Sequence, residues 1–123
     1  MKNRFRILSF MYLLFLSIVM LIPLDFFILN DASVISKQPS NEQSFLIHFI
    51  LFFLLFLLFN FSFESKIKLL IFCIIYSILI ETAQLFSSRG FQFVDILFNI
   101  IGVVSSFYAC EFLINSKYRR KKL

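Results

Sequence analysis

The sequence predicts an all-α, polytopic membrane protein: a four-transmembrane-helix bundle with its N- and C-termini cytoplasmic. Three observations carry that prediction. The chain has 123 residues, 60% of them hydrophobic and 15% charged, with 20 phenylalanines. A soluble domain of this length buries a limited share of its surface and cannot hide so much apolar area. The apolar residues fall into four long runs that do not alternate, which suits helices better than strands. Finally, Lys2, Arg4 and Arg6 cluster at one end and Lys117, Arg119, Arg120, Lys121 and Lys122 at the other. Basic flanks of this kind mark the cytoplasmic ends of membrane helices, so a nucleic-acid partner is not expected.

A helix crosses the bilayer with about 20 mainly apolar residues. The runs that meet this are 7–28, 44–63, 67–86 and 92–114, followed by a basic tail over 115–123. Together they form one membrane domain over 1–123. The opening "KNRFR" resembles the basic start of a secretory signal, but the apolar run behind it is too long and no small-residue cleavage site follows. It reads as a retained helix that Pro23 kinks or ends. The only long polar loop is 30–43, acidic on balance, and it is expected outside. The link after the second run carries Lys66 and Lys68 and is expected inside. Arg89, in the link after the third run, is the one charge that breaks this order.

The window 81–99 concentrates Glu81, Gln84, Arg89, Asp95 and Asn99 between two apolar runs. At 1.5 Å per residue Glu81 lies about 7 Å, His48 about 6 Å, Asp95 about 5 Å and Asn99 about 10 Å below the outer surface. Three helices thus bring polar groups to one shallow layer. On the third run Ser77, Glu81, Gln84 and Ser88 follow helical spacing. So do Asp95, Asn99, Gly102 and Ser106 on the fourth. At 3.6 residues per turn each set stays within a wedge of about 60°. Lipid satisfies no such stripe, so both are expected to face other helices or a polar cavity. Gly102 and Ser106 are expected to let the third helix approach the fourth closely, and Gly90 to supply the positive φ of the short turn between them. Arg89 is expected to pair with Glu81 or Asp95 from that turn.

The bland readings differ by residue. Ser77, Ser88 and Ser106 suit interhelical glue. Glu81 does not, because a carboxylate near the bilayer centre costs about 2.5–3.5 kcal/mol where a serine or asparagine would bond as well. Glu111, near the basic end of its helix, reads as solvated or paired with Lys or Arg. Cys73 and Cys110 lie inside apolar runs without partners at ligand spacing, so they read as packing residues. No metal and no cofactor is expected.

The pattern Glu81, Gln84, Phe86, Arg89, Asp95, Asn99 and Gly102, with the spacing to Arg89 slightly shortened and His48 opening the preceding helix, resembles the VanZ-like family of small bacterial membrane proteins. The resemblance covers about 44–106, three of the four helices. Relatives commonly carry Asp-Lys three to four residues before the histidine, where this chain has Ser44 and Phe45. The resemblance implies a multi-pass protein of the bacterial cytoplasmic membrane, in a Gram-positive source by the Lys, Phe, Ile and Asn bias. It also implies a contribution to low-level resistance to teicoplanin-type glycopeptides.

Three functions stay open on the residues. One is a resistance or envelope-maintenance protein that binds an amphipathic ligand, such as a lipid-linked cell-wall precursor or a glycopeptide-related molecule, through Gln84, Arg89, Asp95 and Asn99. The second is a membrane enzyme on such precursors, with Glu81 as general acid or base and His48 as second proton carrier. The third is a structural or accessory subunit. No nucleophile elbow, zinc-helix motif or phosphate loop names a reaction.

Overall fold

The computed structural model describes residues 2–22, 41–87 and 91–121. Among these residues four α-helices follow one another: α1 Lys2–Leu21, α2 Asn41–Asn60, α3 Lys66–Gln84 and α4 Phe93–Lys121. Pro23, residues 30–40 of the polar loop, Ser88, Arg89 and Gly90 lie outside the described residues, and so do the expected roles of Arg89 and Gly90.

Side-chain pairing fixes the directions. Ser9 of α1 bonds to Leu58 and Ser62 at the far end of α2, and Tyr12 to Leu51, so α1 and α2 run antiparallel. Ser17 meets Tyr76 and Met20 meets Gln84, so α1 and α3 are parallel. Glu81 meets Asn99 and Lys66 meets Glu111, so α3 and α4 are antiparallel. Up-down-up-down order makes α2 and α4 parallel, and their contacts advance together: Phe45 stacks on Phe98, His48 meets Asn99, and Phe56 meets Phe107. Among the described residues α2 touches all three other helices and packs most extensively on α4, while α1 does not touch α4.

Helical periodicity selects the core. Leu16 and Met20 of α1, Phe52, Leu55, Phe56 and Phe59 of α2, Leu69 and Cys73 of α3, and Val103 and Cys110 of α4 are buried together. Both cysteines are free. The outward faces remain apolar: Met11, Leu14, Ile67, Leu79, Phe93, Phe112 and many others are exposed. Such a surface wants lipid or another apolar partner around it. Among the described residues three helices are long and apolar enough to cross a membrane, over Asn3–Leu21, Lys66–Gln84 and Phe93–Tyr118, which is consistent with a membrane protein.

The helix limits correct the sequence reading in three places. The second run was expected to span 44–63, but its apolar helical part, Ser44–Asn60, is shorter, because the chain turns at Phe61–Ser62 on bonds back to the Phe59 carbonyl. The first helix already begins at Lys2 and ends at Leu21. The fourth does not stop at residue 114: the basic segment continues it to Lys121, since Lys and Arg are good helix formers and favour a helix C-terminus.

The close approach expected of Gly102 is present, but toward a different helix. A Cβ there would collide with the backbone carbonyl oxygen of Phe49 and stand 3.2 Å from the Phe53 nitrogen. Gly102 therefore seats α4 on α2, not on α3. Parallel helices have no short link to fix them, so backbone contact at a glycine is what brings α2 and α4 together.

Candidate functional site

The buried stripes of α2, α3 and α4 each become polar at the same end of the bundle. On α2 the inward positions Phe59, Phe56, Phe52 lead back one turn at a time to His48. On α3 the series Cys73, Ser77 leads to Glu81 and Gln84, and on α4 the series Ser106, Gly102 leads back to Asn99 and Asp95. All the described members of the two stripes predicted on α3 and α4 are buried. Glu81 and Asn99 are wholly buried, His48 is 4% exposed and Asp95 6%.

The four groups meet around the imidazole. His48 Nδ1 lies 3.0 Å from Asn99 Oδ1 and 3.4 Å from Glu81 Oε1. Its Nε2 lies 3.5 Å from Asp95 Oδ2. Asn99 Nδ2 donates to Glu81 Oε1 over 3.3 Å. One carboxylate thus faces each ring nitrogen. The Asn99 amide bridges the first carboxylate to the ring. Because Nδ2 donates to Glu81, Oδ1 is the atom toward the ring and Nδ1–H must donate to it. Asp95 sits in the first turn of α4, where its charge is favoured by the helix dipole. The Phe45–Phe98 stack, 4.8 Å between ring centres, ties α2 to α4 one turn nearer the start of α2.

His48, Glu81, Asp95 and Asn99 therefore converge as depth and helix phase predict. Gln84 does not join them through its hydrogen bonds: its amide donates to the Met20 carbonyl at 3.1 Å and lies 3.8 Å from the Met20 sulfur. It ties the last turn of α1 to α3. Its Nε2 is thus engaged by α1 rather than by the cluster. Glu111, expected to be solvated or paired, is held by Lys66 Nζ at 2.6 Å at the opposite end of the bundle.

Two features escaped the sequence reading. The first is a ladder of hydroxyls on α1: Ser9 to Ser62 and the Leu58 carbonyl, Tyr12 to the Leu51 carbonyl, Ser17 to Tyr76. Ser9 and Tyr12 share the inward face of α1 with Leu16 and Met20, but Ser17 lies off it, so a narrow polar stripe shows only part of the ladder. The second is that His48, Glu81 and Asp95 each offer a ligand atom within 4.8 Å of the others. No short motif announces that set, because His48 lies 51 residues and Glu81 18 residues from Asn99.

Chemically the arrangement presents an imidazole with a carboxylate at each nitrogen in a dry setting. It is suited to holding or passing a proton and to holding a cation. Compared with known proteins, the chain matches no family model, no curated protein and no solved structure.

Proposed function

We propose that this chain is a VanZ-like, four-span protein of the bacterial cytoplasmic membrane with both termini inside. In this reading it contributes to envelope maintenance or teicoplanin-type glycopeptide resistance through the polar cluster at its outer end. The apolar exterior of α1, α3 and α4 supports the membrane setting, and the basic ends of the chain support the orientation. The observation that carries a functional role is the convergence of His48, Glu81 and Asp95 from three helices in a buried layer. Ionisable groups inside membrane segments are costly and mark functional sites by default, whereas helix adhesion needs only serine or asparagine.

One observation favours the enzyme reading over simple ligand binding. Each nitrogen of His48 faces a carboxylate, which is the layout of an acid–base relay, with Glu81 and His48 as proton carriers toward a lipid-linked wall precursor. With Gln84 engaged by Met20, and Asn99 by His48 and Glu81, Asp95 is the expected ligand contact left among the described residues.

The test compares envelope lipids and wall precursors by mass spectrometry, and teicoplanin susceptibility, in a strain lacking the gene. The strain is rescued with wild type, Glu81→Gln or His48→Ala. Glu81→Gln keeps shape and hydrogen bonding, so it is expected to insert at wild-type level and fail to rescue. Rescue by both variants would place the function elsewhere. Turnover of a purified precursor that disappears in Glu81→Gln would select the enzyme.

A further inference from the structure

The three titratable groups at the cluster end are also a ligand set. We propose that His48, Glu81 and Asp95 bind one divalent transition-metal cation, with Asn99 positioning the imidazole. The inference rests on reading this cluster as the functional site, and it adds the ion that site would hold.

Spacing is the first argument. Each residue offers one ligand atom within 4.8 Å of the others, and all three are buried. Donors about 2.1 Å from a tetrahedral ion stand about 3.4 Å apart. His48 Nε2 and Asp95 Oδ2 stand 3.5 Å apart, so that edge already has the length an ion requires.

Proton placement is the second. Asn99 Nδ2 donates to Glu81, so Asn99 Oδ1 takes the proton of His48 Nδ1. A neutral ring then turns the lone pair of Nε2 toward Asp95 Oδ2, itself an acceptor, at 3.5 Å. That gap is where a cation would sit. The Nδ1–H bond to a neighbouring amide, itself held by a carboxylate, is the outer-shell support that orients metal-binding histidines.

The third observation is independent of the ring. Asp95 Oδ1 is buried and has no hydrogen-bond partner, although its carboxylate is directed into the cluster through Oδ2. A buried carboxylate oxygen without a partner is unusual and calls for an ion or water. One imidazole with two carboxylates suits Zn²⁺ or Mn²⁺ rather than a soft thiolate-seeking ion.

The full chain, purified in detergent and stripped of metal, is dialysed against Zn²⁺ or Mn²⁺ alone, and bound metal is measured by mass spectrometry. About one ion per wild-type chain is expected. The isosteric variants Asp95→Asn and Glu81→Gln should bind at least tenfold more weakly, and Asn99→Ala about 10–100-fold more weakly. The ion should raise the melting temperature of wild type but not of Asp95→Asn. Wild type that binds no ion, or Asp95→Asn that binds like wild type, overturns the proposal. Metal content is read without reference to phenotype. An apo wild type with a defective Glu81→Gln strain removes only the metal, and a loaded wild type with a fully rescuing Glu81→Gln removes only the envelope function.

Discussion

Two acid–base contacts sit at opposite ends of this bundle and follow opposite rules. At one end Lys66 holds Glu111 across α3 and α4 at 2.6 Å, with side chains 25% and 39% exposed. At the other, His48 lies between Glu81 and Asp95, with almost no exposure and separations of 3.4 and 3.5 Å. The first pair is shorter and simpler, yet solvent screens it and either member can return to water. The second is looser but has no such exit, so every charge in it must be balanced inside the protein. Distance alone therefore misranks the two; burial decides which contact shapes the molecule.

The sharpest way to break this contrast is to remove the imidazole. His48→Ala leaves Glu81 and Asp95 sharing a buried layer without the group between them. A loss of about 3–5 kcal/mol is expected, read as a lowered unfolding midpoint in detergent. A loss no larger than that of Lys66→Ala would mean the cluster is far wetter than its burial implies.

Gly102→Ala probes the seam that brings His48 and Asn99 together. Its Cβ meets Phe49 backbone rather than a side chain that can swing away. The expected loss is about 1–3 kcal/mol, with His48 moved from Asn99. A double-mutant cycle of Gly102→Ala with Asn99→Ala should then show coupling, since both changes act on the α2–α4 contact. Additive effects would separate the glycine from the site.

Ser9→Ala removes the link to Ser62 and the Leu58 carbonyl on the α1 side. Membrane hydrogen bonds contribute about 0.6–2 kcal/mol each, so a shift within that range is expected. Envelope phenotype and metal content should stay as wild type, because Ser9 meets α2 at the end away from His48.

The smallest effect belongs to Lys66→Ala, about 0.2–1 kcal/mol. It should fade between low salt and 1 M salt, where the screening length falls to about 3 Å. The His48→Ala loss should keep its size over the same salt range. A salt-sensitive His48→Ala would collapse the distinction between the two ends.

Much of the site was legible in the chain itself. Ser77, Glu81 and Gln84, and Asp95, Asn99, Gly102 and Ser106, form inward stripes because side-chain direction on a helix repeats every 3.6 residues, a property of local backbone alone. The layer shared with His48 followed from counting residues inward from helix ends. Less reliable was the assignment of partners. Gln84 has the phase of a site residue but sits one turn nearer the helix end than Glu81, where the Met20 carbonyl of α1 takes its amide. Gly102 was assigned to α3 because a short link joins α3 to α4, yet it seats on Phe49 of α2. Adjacency in sequence favours packing but does not set how far each helix is rotated about its axis.

By itself the sequence determined four apolar helices, their polar stripes and the common level of His48, Glu81, Asp95 and Asn99. Those properties depend only on composition, helical period and rise per residue. Only tertiary structure decided that α2 and α4 lie in backbone contact. The same packing turned Gln84 aside toward α1, and it placed the two carboxylates on opposite nitrogens of one ring. These outcomes depend on the steric fit between helices distant in the chain, where a glycine admits one approach and side chains elsewhere refuse the rest.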